Sequence, residues 1–250
     1  MTSLRIVVPV LNEAAALPSL LQALQPLRAR GVEVVVVDGG STDGSWLLAA
    51  RGGVDRLLLA PRGRASQMNR GAQGARTHAL LFLHADTTLP ADADRRVAQA
   101  LARGFDWGRF DVRIASAHPL LRLVGALMNL RSRWTGIATG DQALFVRREV
   151  FEAEGGFPDL PLMEDIALST RLRRRAAPAC LRPPVSTSAR RWERHGVLRT
   201  ILTMWWLRLR YFFGASPLAL AERYGYARSP AAAAAAVAVL AKAPVAGLAK

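Results

Sequence analysis

Cysteine and lysine are nearly absent from this sequence of 250 residues. The one cysteine, Cys180, excludes an internal disulfide, and it has no His and Cys partners at the spacing of a structural zinc site. Lys242 and Lys250 are the only lysines, so arginine carries almost all of the net charge of +15. No basic segment followed by a long apolar run occurs in residues 1–10, so no secretory signal is visible. We therefore expect a cytoplasmic protein.

The arginines are unevenly distributed along the chain. Residues 171–210 hold eleven arginines and one acidic residue, Glu193. Such a segment attracts anions, and three kinds of anion are open: the phosphates of a substrate, a nucleic acid, or the headgroups of acidic lipids. Charge alone does not choose among them.

Short apolar runs alternate with helical patterns in the first half of the chain. Apolar residues make up 51% of the sequence, enough for the core of one domain. The valine run over 32–37, interrupted only by Glu33, is typical of a strand covered on both faces. We predict strands at 4–10, 32–37, 56–59 and 79–84, with helices from residue 17, from residue 45 and over 65–75. The fold class is therefore α/β, a doubly wound and mostly parallel sheet whose ligand crevice lies at the carboxyl ends of the strands.

The pattern changes beyond Pro90, where a helix and irregular chain precede a predicted strand at Gly140–Val146. Residues 197–213 form an amphipathic helix that is too short and too charged to span a membrane. Two interpretations stay open for this helix: it lies in the membrane interface, or it packs at the edge of the core.

Polar residues follow the first two predicted strands. Pro9, Asn12 and Glu13 end the first, and the segment from Asp38 to Ser45, with Gly40 and Ser41, ends the second. A carboxylate at a strand end accepts hydrogen bonds from a base or a ribose, and glycine lets the backbone approach a nucleotide closely. The alternatives are a capped turn, or a dinucleotide fold, which would require Gly-x-Gly-x-x-Gly after the first strand.

A third carboxylate, Asp86, ends the apolar strand that includes His84. A hard divalent cation, Mn²⁺ or Mg²⁺, held by Asp86 would neutralise the charge of a diphosphate, and His84 is a second candidate ligand. The alternative for Asp86 is a helix cap or a surface turn.

An acid pair, Glu164 and Asp165, opens another predicted helix. Asp165 is the candidate general base, and Glu164 is the neighbouring acid that would raise its pKa. Simple capping of the helix is the alternative. At a further strand-to-helix junction, Arg64 and Gln67 are candidates to bind phosphate.

Taken together, residues 4–228 resemble the family-2 glycosyltransferases of GT-A fold. A subgroup assigned to arsenosugar biosynthesis, with some members named after a carotenoid-acid glycosyltransferase, has similar motifs at residues 39–44, 63–69, 83–87, 140–142, 163–165 and 188–194. The resemblance implies that Asp141 and Gln142 also bind substrate, and that base catalysis inverts the anomeric carbon. Arg191 and Trp192 resemble the end of the Gln-x-x-Arg-Trp motif of processive relatives, but Ser188 replaces the Gln, which favours transfer of a single sugar.

The predicted domain covers residues 1–228, with a nucleotide-binding half at 1–90, an acceptor and catalytic half at 91–193 and an amphipathic helical region at 194–228. An alanine-rich linker at 229–236 follows. Residues 237–250 resemble the start of a second transferase of nucleotidyltransferase-like fold, often encoded beside the first, so we expect a fused domain beyond Lys250.

The sequence predicts an inverting transfer of one hexosyl or pentosyl group from a nucleotide diphosphate sugar, expected to be UDP-linked, to a hydroxyl of a small or lipid-like acceptor. We expect residues 194–213 to contact an anionic membrane at its inner face and expect no nucleic-acid partner. Two alternatives remain: a nucleotidyltransferase acting on a sugar phosphate, and a basic module that binds membrane or RNA.

Overall fold

Every residue of the first strand is buried, because helices cover both faces of the sheet to which it belongs. The computed structural model describes residues 2–223. The strands are β1 Leu4–Val10, β2 Glu33–Asp38, β3 Arg56–Leu59, β4 Ala79–Phe82, β5 Thr87–Thr88, β6 Trp107–Ala115, β7 Phe145–Arg147 and β8 Ala179–Ser188. The helices are α1 Leu17–Arg28, α2 Ser45–Arg51, α3 Arg64–Ala72, α4 Ala93–Ala102, α5 Pro119–Thr135, α6 Arg148–Ala153, α7 Glu164–Arg175, α8 Arg190–His195, α9 Val197–Phe212 and α10 Pro217–Arg223.

The strands form one mixed sheet in the order β3-β2-β1-β4-β7-β6-β8-β5. The four strands predicted from the first half pair in parallel, and β7 joins them antiparallel to β4. The carboxyl ends of β1, β2 and β4 consequently meet at one edge, as predicted. This edge positions the candidate site.

Two apolar layers enclose the sheet. Even-numbered residues of β1, such as Ile6 and Val8, pack with α1 and α4, whereas Val7 packs on the opposite side with α3 and α7. Because successive side chains of a strand point to opposite faces, one apolar strand contributes residues to both apolar layers.

The prediction for the second half was wrong in places. Residues 140–142 form a 3₁₀ turn, and β7 begins only at Phe145, so the predicted strand over 140–146 is mostly turn. The strands β6 and β8 were not predicted at all. Arg109 and Asp111 interrupt the apolar pattern of β6, and Pro183 and Pro184 interrupt that of β8.

A buried ion cluster explains how β6 tolerates charges. The carboxylate of Asp111 accepts hydrogen bonds from Arg109 on the same strand, from Arg133 of α5 and from Arg182 of β8. Burial opposes ionisation of Asp111, but the three arginines outweigh it and hold the pKa of Asp111 below its usual value. The cluster connects α5 to β6 and β8, the two strands that the sequence pattern did not predict.

The helix α9 matches the predicted amphipathic helix within one residue. One side of it packs through Leu207 on a small apolar cluster with Leu162 and Met163, and another side exposes large apolar residues, so both interpretations stay open. Within residues 2–223, no helix combines the length and the apolar character that crossing a bilayer requires. The predicted linker at 229–236 and the predicted second domain from 237 lie outside the described residues.

Close contact between α3 and the sheet depends on Gly71. A Cβ at this position would lie 2.3 Å from Cγ1 of Val7 and 3.0 Å from Cγ2 of Val37. Gly71→Ala should therefore lower the free energy of unfolding by about 1–3 kcal/mol, although alanine is the better helix former. Urea denaturation measures the change.

Gly125 of α5 is the matched control. A Cβ there lies at an ordinary 3.4 Å from the carbonyl oxygen of Val112. Gly125→Ala should leave stability unchanged or raise it by up to about 1 kcal/mol. Equal effects of the two substitutions would contradict the packing argument.

Candidate functional site

The loops after β1 and β2 are joined by hydrogen bonds. The backbone N–H of Asn12 donates to Oγ of Ser41 at 2.9 Å, and the N–H of Thr42 donates to Oδ1 of Asn12 at 2.8 Å. Further along, the N–H of Glu13 donates to Oγ of Ser45. Asn12 and Ser41, both predicted to bind nucleotide, thus hold the two loops together.

Asp38 ends β2 and is almost fully buried. Its Oδ1 accepts hydrogen bonds from the N–H groups of Gly40 and Ser41, both at 2.7 Å. Its Oδ2 is buried and has no hydrogen-bond partner among the described residues. A buried carboxylate oxygen without a donor is costly, which makes Asp38 a candidate acceptor for a ligand.

Gln67 fixes the ends of β1 and β2 relative to each other. Its Nε2 donates to the carbonyl oxygens of Val10 at 2.7 Å and Val37 at 2.8 Å. A Cβ on Gly39 would lie only 3.0 Å from the Gln67 amide carbon, so this glycine accommodates the glutamine. The sequence predicted phosphate binding for Gln67, and the structure gives it hydrogen bonds to the protein backbone.

A cavity of about 150 Å³ opens at this edge of the sheet. Six residues predicted from the sequence line it: Pro9, Glu13, Arg64, Gln67, His84 and Asp86. The structure adds six that were not predicted: Val10, Leu11, Arg62, Gly63, Ala85 and Pro161. The amino end of α3 borders the cavity through Gly63 and Arg64, so N–H groups and guanidinium groups face the same space.

Arg190 of α8 reaches this cavity from the other half of the chain. Its Nη2 donates to Oε2 of Glu13 at 2.7 Å. That hydrogen bond, with a smaller contribution from the charge of Asp86, raises the pKa of Arg190. The sequence prediction named the next two residues, Arg191 and Trp192, and Trp192 instead packs against the apolar cluster around α5.

His84 links the cavity to a second, smaller pocket that Glu164 and Asp165 line. Its Nδ1 lies 3.2 Å from Oδ1 of Asp141. A Cβ on Gly140 would lie 2.4 Å from both Cε1 and Nε2 of the ring. Both ring nitrogens therefore face the turn at 140–141, and the metal role predicted for His84 stays a prediction.

The same turn holds the predicted base. The backbone N–H of Gly140 donates to Oδ2 of Asp165 at 2.6 Å, and the N–H of Ile166 donates to Oδ1 at 2.7 Å. Glu164 beside it is buried, and burial, reinforced by the charge of Asp165, raises the pKa of Glu164 to about 7. The elevated pKa thus belongs to Glu164, whereas the sequence argument assigned it to Asp165.

Asp141 and Gln142 have different surroundings although they are neighbours. Burial opposes ionisation of Asp141, but the hydrogen bond with His84 and the charges of Arg64 and Arg208 keep the pKa of Asp141 below its usual value. Gln142 is fully buried, and its Oε1 accepts from the N–H of Thr139. The structure therefore does not bring Gln142 to the cavity.

Three residues near Asp165 were missed by the sequence argument. The charges of Arg131 on α5 and of Asp165 influence each other, and Arg208 on α9 adds to the positive charge around Arg131. Burial and the charge of Asp165 raise the pKa of Tyr211. One signal was available, because Arg208 interrupts the apolar side of an amphipathic helix.

Few side chains near the cavity could bind a metal ion. Residues 2–223 contain no group of three or more His, Cys, Asp or Glu side chains arranged to hold an ion. Asp86 and Glu13 are the carboxylates that line the cavity, and Glu13 pairs with Arg190, so Asp86 is the candidate ligand for a Mg²⁺ or Mn²⁺ ion that takes further oxygens from a bound diphosphate. This set does not fit a cation held by protein ligands alone.

Comparisons with known proteins agree on one family. The model described as "Glycosyl transferase family 2" matches residues 5–152. The succinoglycan biosynthesis protein ExoA of Rhizobium meliloti is 38% identical over 114 residues, which is 42% of this chain and 34% of that protein. A PGL/p-HBAD biosynthesis glycosyltransferase of Mycobacterium tuberculosis is 34% identical over 158 residues, which is 59% of this chain and 56% of that protein. The chain thus matches between about a third and just over half of the length of these relatives.

Two solved structures share the fold at low identity. TarS of S. aureus in complex with UDP has a TM-score of 0.61 at 18% identity, over 74% of this chain and 60% of that one. The mannosyltransferase PcManGT of Pyrobaculum calidifontis, in complex with GDP-Man and Mn²⁺, has a TM-score of 0.59 at 23% identity, over 97% of this chain and 76% of that one. These likenesses confirm the predicted GT-A fold. The family model covers more than half of the described domain, and the chain belongs to glycosyltransferase family 2.

Proposed function

We propose that this protein transfers one sugar from a nucleotide diphosphate donor to a hydroxyl of its acceptor, with inversion at the anomeric carbon. One observation carries the proposal: His84 lines both the cavity at the strand ends and the small pocket that Asp165 lines, so the cavity and the proposed base lie on either side of one residue. A donor bound in the cavity would present its sugar towards a carboxylate. The motif resemblance makes UDP the nucleotide to test first and keeps arsenosugar biosynthesis, with carotenoid glycosylation as the weaker option, as a hypothesis for the pathway.

The donor's nucleotide would lie against β1 and β2. The unpartnered Oδ2 of Asp38 would accept a hydrogen bond from the base or the ribose. The diphosphate would then lie towards Arg64 and the amino end of α3, where positive charge and N–H groups favour an anion. Asp86 would hold a divalent cation together with the diphosphate oxygens, and that cation supplies charge neutralisation of the leaving group.

Asp165 would act as the general base, removing the proton from the acceptor hydroxyl as that oxygen attacks the anomeric carbon. The N–H groups of Gly140 and Ile166 orient its carboxylate. At neutral pH a proton on Glu164 limits repulsion between the two acids, because its pKa of about 7 allows it to stay partly neutral. Attack from the side opposite the leaving diphosphate accounts for inversion.

The same geometry speaks against the two alternatives. A nucleotidyltransferase would need its nucleophile next to the α-phosphate of a bound nucleotide. Here the acid pair Glu164 and Asp165 lies on the far side of His84 from the cavity. A basic module that binds RNA would not require a buried carboxylate such as Asp38 at the centre of its binding site. The RNA-binding alternative predicts that Asp38 and Asp86 are dispensable, whereas a nucleotidyltransferase would release free diphosphate.

Substitution of Asp86 and Asp165 should separate binding from catalysis. Calorimetry with a panel of nucleotides and nucleotide sugars, with and without Mn²⁺, should find one nucleotide diphosphate whose binding Mn²⁺ strengthens. Asp86→Ala should lose the metal effect, whereas Asp165→Asn should keep it and lower the rate of transfer by about 10²–10⁴-fold.

Asp92→Asn is a matched control, because Asp92 pairs with Arg96 on the surface of α4. It should behave like the wild type in both assays. Absence of nucleotide binding in the folded wild type, or release of free diphosphate as the product, would refute the proposal.

Glu164→Gln should change how stability depends on pH. The folded-state pKa of Glu164 is raised to about 7 from an ordinary 4.5, so the unfolded chain loses this proton first as the pH rises. Wild-type stability should therefore fall between about pH 4.5 and 7, and the neutral Gln should remove this fall, making the variant relatively more stable at pH 8 by about 1–3 kcal/mol.

Urea denaturation at pH 5 and pH 8 checks this, with the exposed Glu149→Gln as the control that should show no pH-dependent difference. A difference between Glu164→Gln and the wild type that stays constant with pH would contradict the assignment of the raised pKa to Glu164.

We also propose that the protein contacts an anionic membrane through α9 and the adjacent α5. Val124 of α5 and Val197 of α9 pack in one apolar cluster, so the helices are neighbours. Each helix exposes a stripe of large apolar side chains, which together we name the apolar face: Leu120, Leu123, Leu127, Leu130 and Trp134 on α5, and Leu198, Leu202, Trp205, Trp206, Leu209 and Phe212 on α9. Exposed patches of this kind mark interaction sites.

Exposed arginines beside the apolar face favour an anionic lipid surface as its partner. Arg199 and Arg210 are exposed on α9, and Arg194 is exposed just before it. Apolar side chains with arginines beside them suit a helix that lies in the interface of an anionic bilayer. The sequence predicted contact through residues 194–213, and our proposal adds α5, whose large apolar side chains are also exposed.

Vesicle flotation tests this contact. The wild type should float with phosphatidylglycerol vesicles and much less with phosphatidylcholine vesicles, and added salt should weaken the binding. A Leu127→Ser, Trp205→Ser double variant should lose most of the binding, whereas Leu47→Ser on α2 should not, although Leu47 is equally exposed. Equal flotation of the three proteins would contradict the proposal.

A further inference from the structure

Arg131 is an arginine in an unfavourable position. It projects from α5 and its Nε and Nη2 atoms are buried, with no hydrogen-bond partner among residues 2–223. A guanidinium has five N–H donors and cannot lose its charge readily, so burying it without an acceptor is costly. Proteins retain such an arrangement where a ligand supplies the missing acceptor.

Its surroundings increase the cost. Burial, with the nearby positive charge of Arg208, lowers the pKa of Arg131 to about 10, and the negative charge of Asp165 only partly offsets this. Both oxygens of Asp165 already accept backbone hydrogen bonds, from Gly140 and Ile166. Asp165 is therefore near Arg131 without being its hydrogen-bonding partner.

Arg208 is a second arginine near Arg131, on the neighbouring helix α9. It follows the buried Leu207 on α9 and is itself partly buried, although its helix has an exposed side where an arginine would be fully solvated. Its charge acts on both Arg131 and Asp141. The two guanidinium groups repel each other, and for Arg131 the charge of Asp165 only partly offsets this repulsion and the burial. An anion bound beside both groups would remove the repulsion.

The donor diphosphate does not account for this pair. Arg62, Arg64 and Arg190 already supply positive charge on the donor side, around the cavity at the strand ends. Arg131 and Arg208 do not line that cavity, and they lie on α5 and α9, in the half of the chain beyond His84. The anion that they would bind is on the acceptor side of the site.

We propose that the acceptor of this enzyme carries, beside the hydroxyl that is glycosylated, an anionic group such as a phosphate or a carboxylate, bound between Arg131 and Arg208. Arginine suits both anions because its planar fork matches their paired oxygens. Holding the anion would place the acceptor hydroxyl next to Asp165. This inference rests on the proposed function and specifies the class of acceptor.

Phosphate binding to the protein provides the test, with UDP and Mn²⁺ present to occupy the donor site. Inorganic phosphate should raise the thermal unfolding temperature of the wild type. Arg131→Met and Arg208→Met should each weaken phosphate binding at least about tenfold. In phosphate-free buffer Arg131→Met should unfold at a temperature equal to or above that of the wild type, since an uncompensated buried charge has been removed.

Arg122→Met is the control on the same helix, because Arg122 is exposed. It should respond to phosphate like the wild type. Equal phosphate effects in the wild type and in Arg131→Met would overturn the proposal, and so would a lower unfolding temperature of Arg131→Met in phosphate-free buffer, which would make Arg131 a structural partner of Asp165.

Two larger ligands distinguish the sources of the anion. Glycerol 3-phosphate represents a soluble acceptor and phosphatidylglycerol vesicles represent a lipid acceptor. If one of these ligands binds the wild type more tightly than inorganic phosphate does, this increase in affinity should be lost in Arg131→Met. An increase in affinity that persists in Arg131→Met would overturn the proposal. UDP binding is recorded in the same samples: its absence refutes the donor assignment, whereas normal UDP binding without an arginine-dependent phosphate effect refutes only the acceptor assignment.

Discussion

The carboxyl ends of three parallel strands meet at one edge of the sheet, and the candidate site depends on that convergence. The amide of Gln67 maintains it, because it donates to the last carbonyl group of β1, that of Val10, and to the carbonyl group of Val37 near the end of β2. The loops that follow are then joined through Asn12 and Ser41. Asp38 and the amino end of α3 acquire their positions from this frame, so a buried amide supports a site that it does not need to touch chemically.

The first half of the fold could be predicted because its strands and helices are specified by residues close together in the sequence. Continuous apolar strands, helical spacing and polar residues at strand ends all indicate the same α/β arrangement, and Asp86 and Glu13 were found in this way. The second half could not, because β6 contains the buried pair Arg109 and Asp111, whose compensation comes from distant parts of the chain. A single sequence does not display which charges will be paired after folding.

The candidate site shows the same division. Of the predicted residues at strand ends, Pro9, Glu13 and Asp86 line the cavity, and Asn12, Asp38 and Ser41 do not. Arg190 was not predicted because its contact with Glu13 exists only once folding brings α8 to the loop after β1. Arg131 was missed because nothing in α5 distinguishes it from its exposed neighbours before the helix is packed. Glu164 and Asp165 were recognised as a pair, but the burial that raises the pKa of Glu164 is visible only in the structure.

The turn at Gly140 has a consequence for how the enzyme would operate. Its missing Cβ leaves room for the ring of His84, and its N–H group holds the carboxylate of Asp165. One residue is therefore in contact with His84, a wall of the cavity, and with the carboxylate of the proposed base. A side chain at position 140 would collide with the ring of His84, so the surroundings of this carboxylate and the wall of the cavity cannot vary independently.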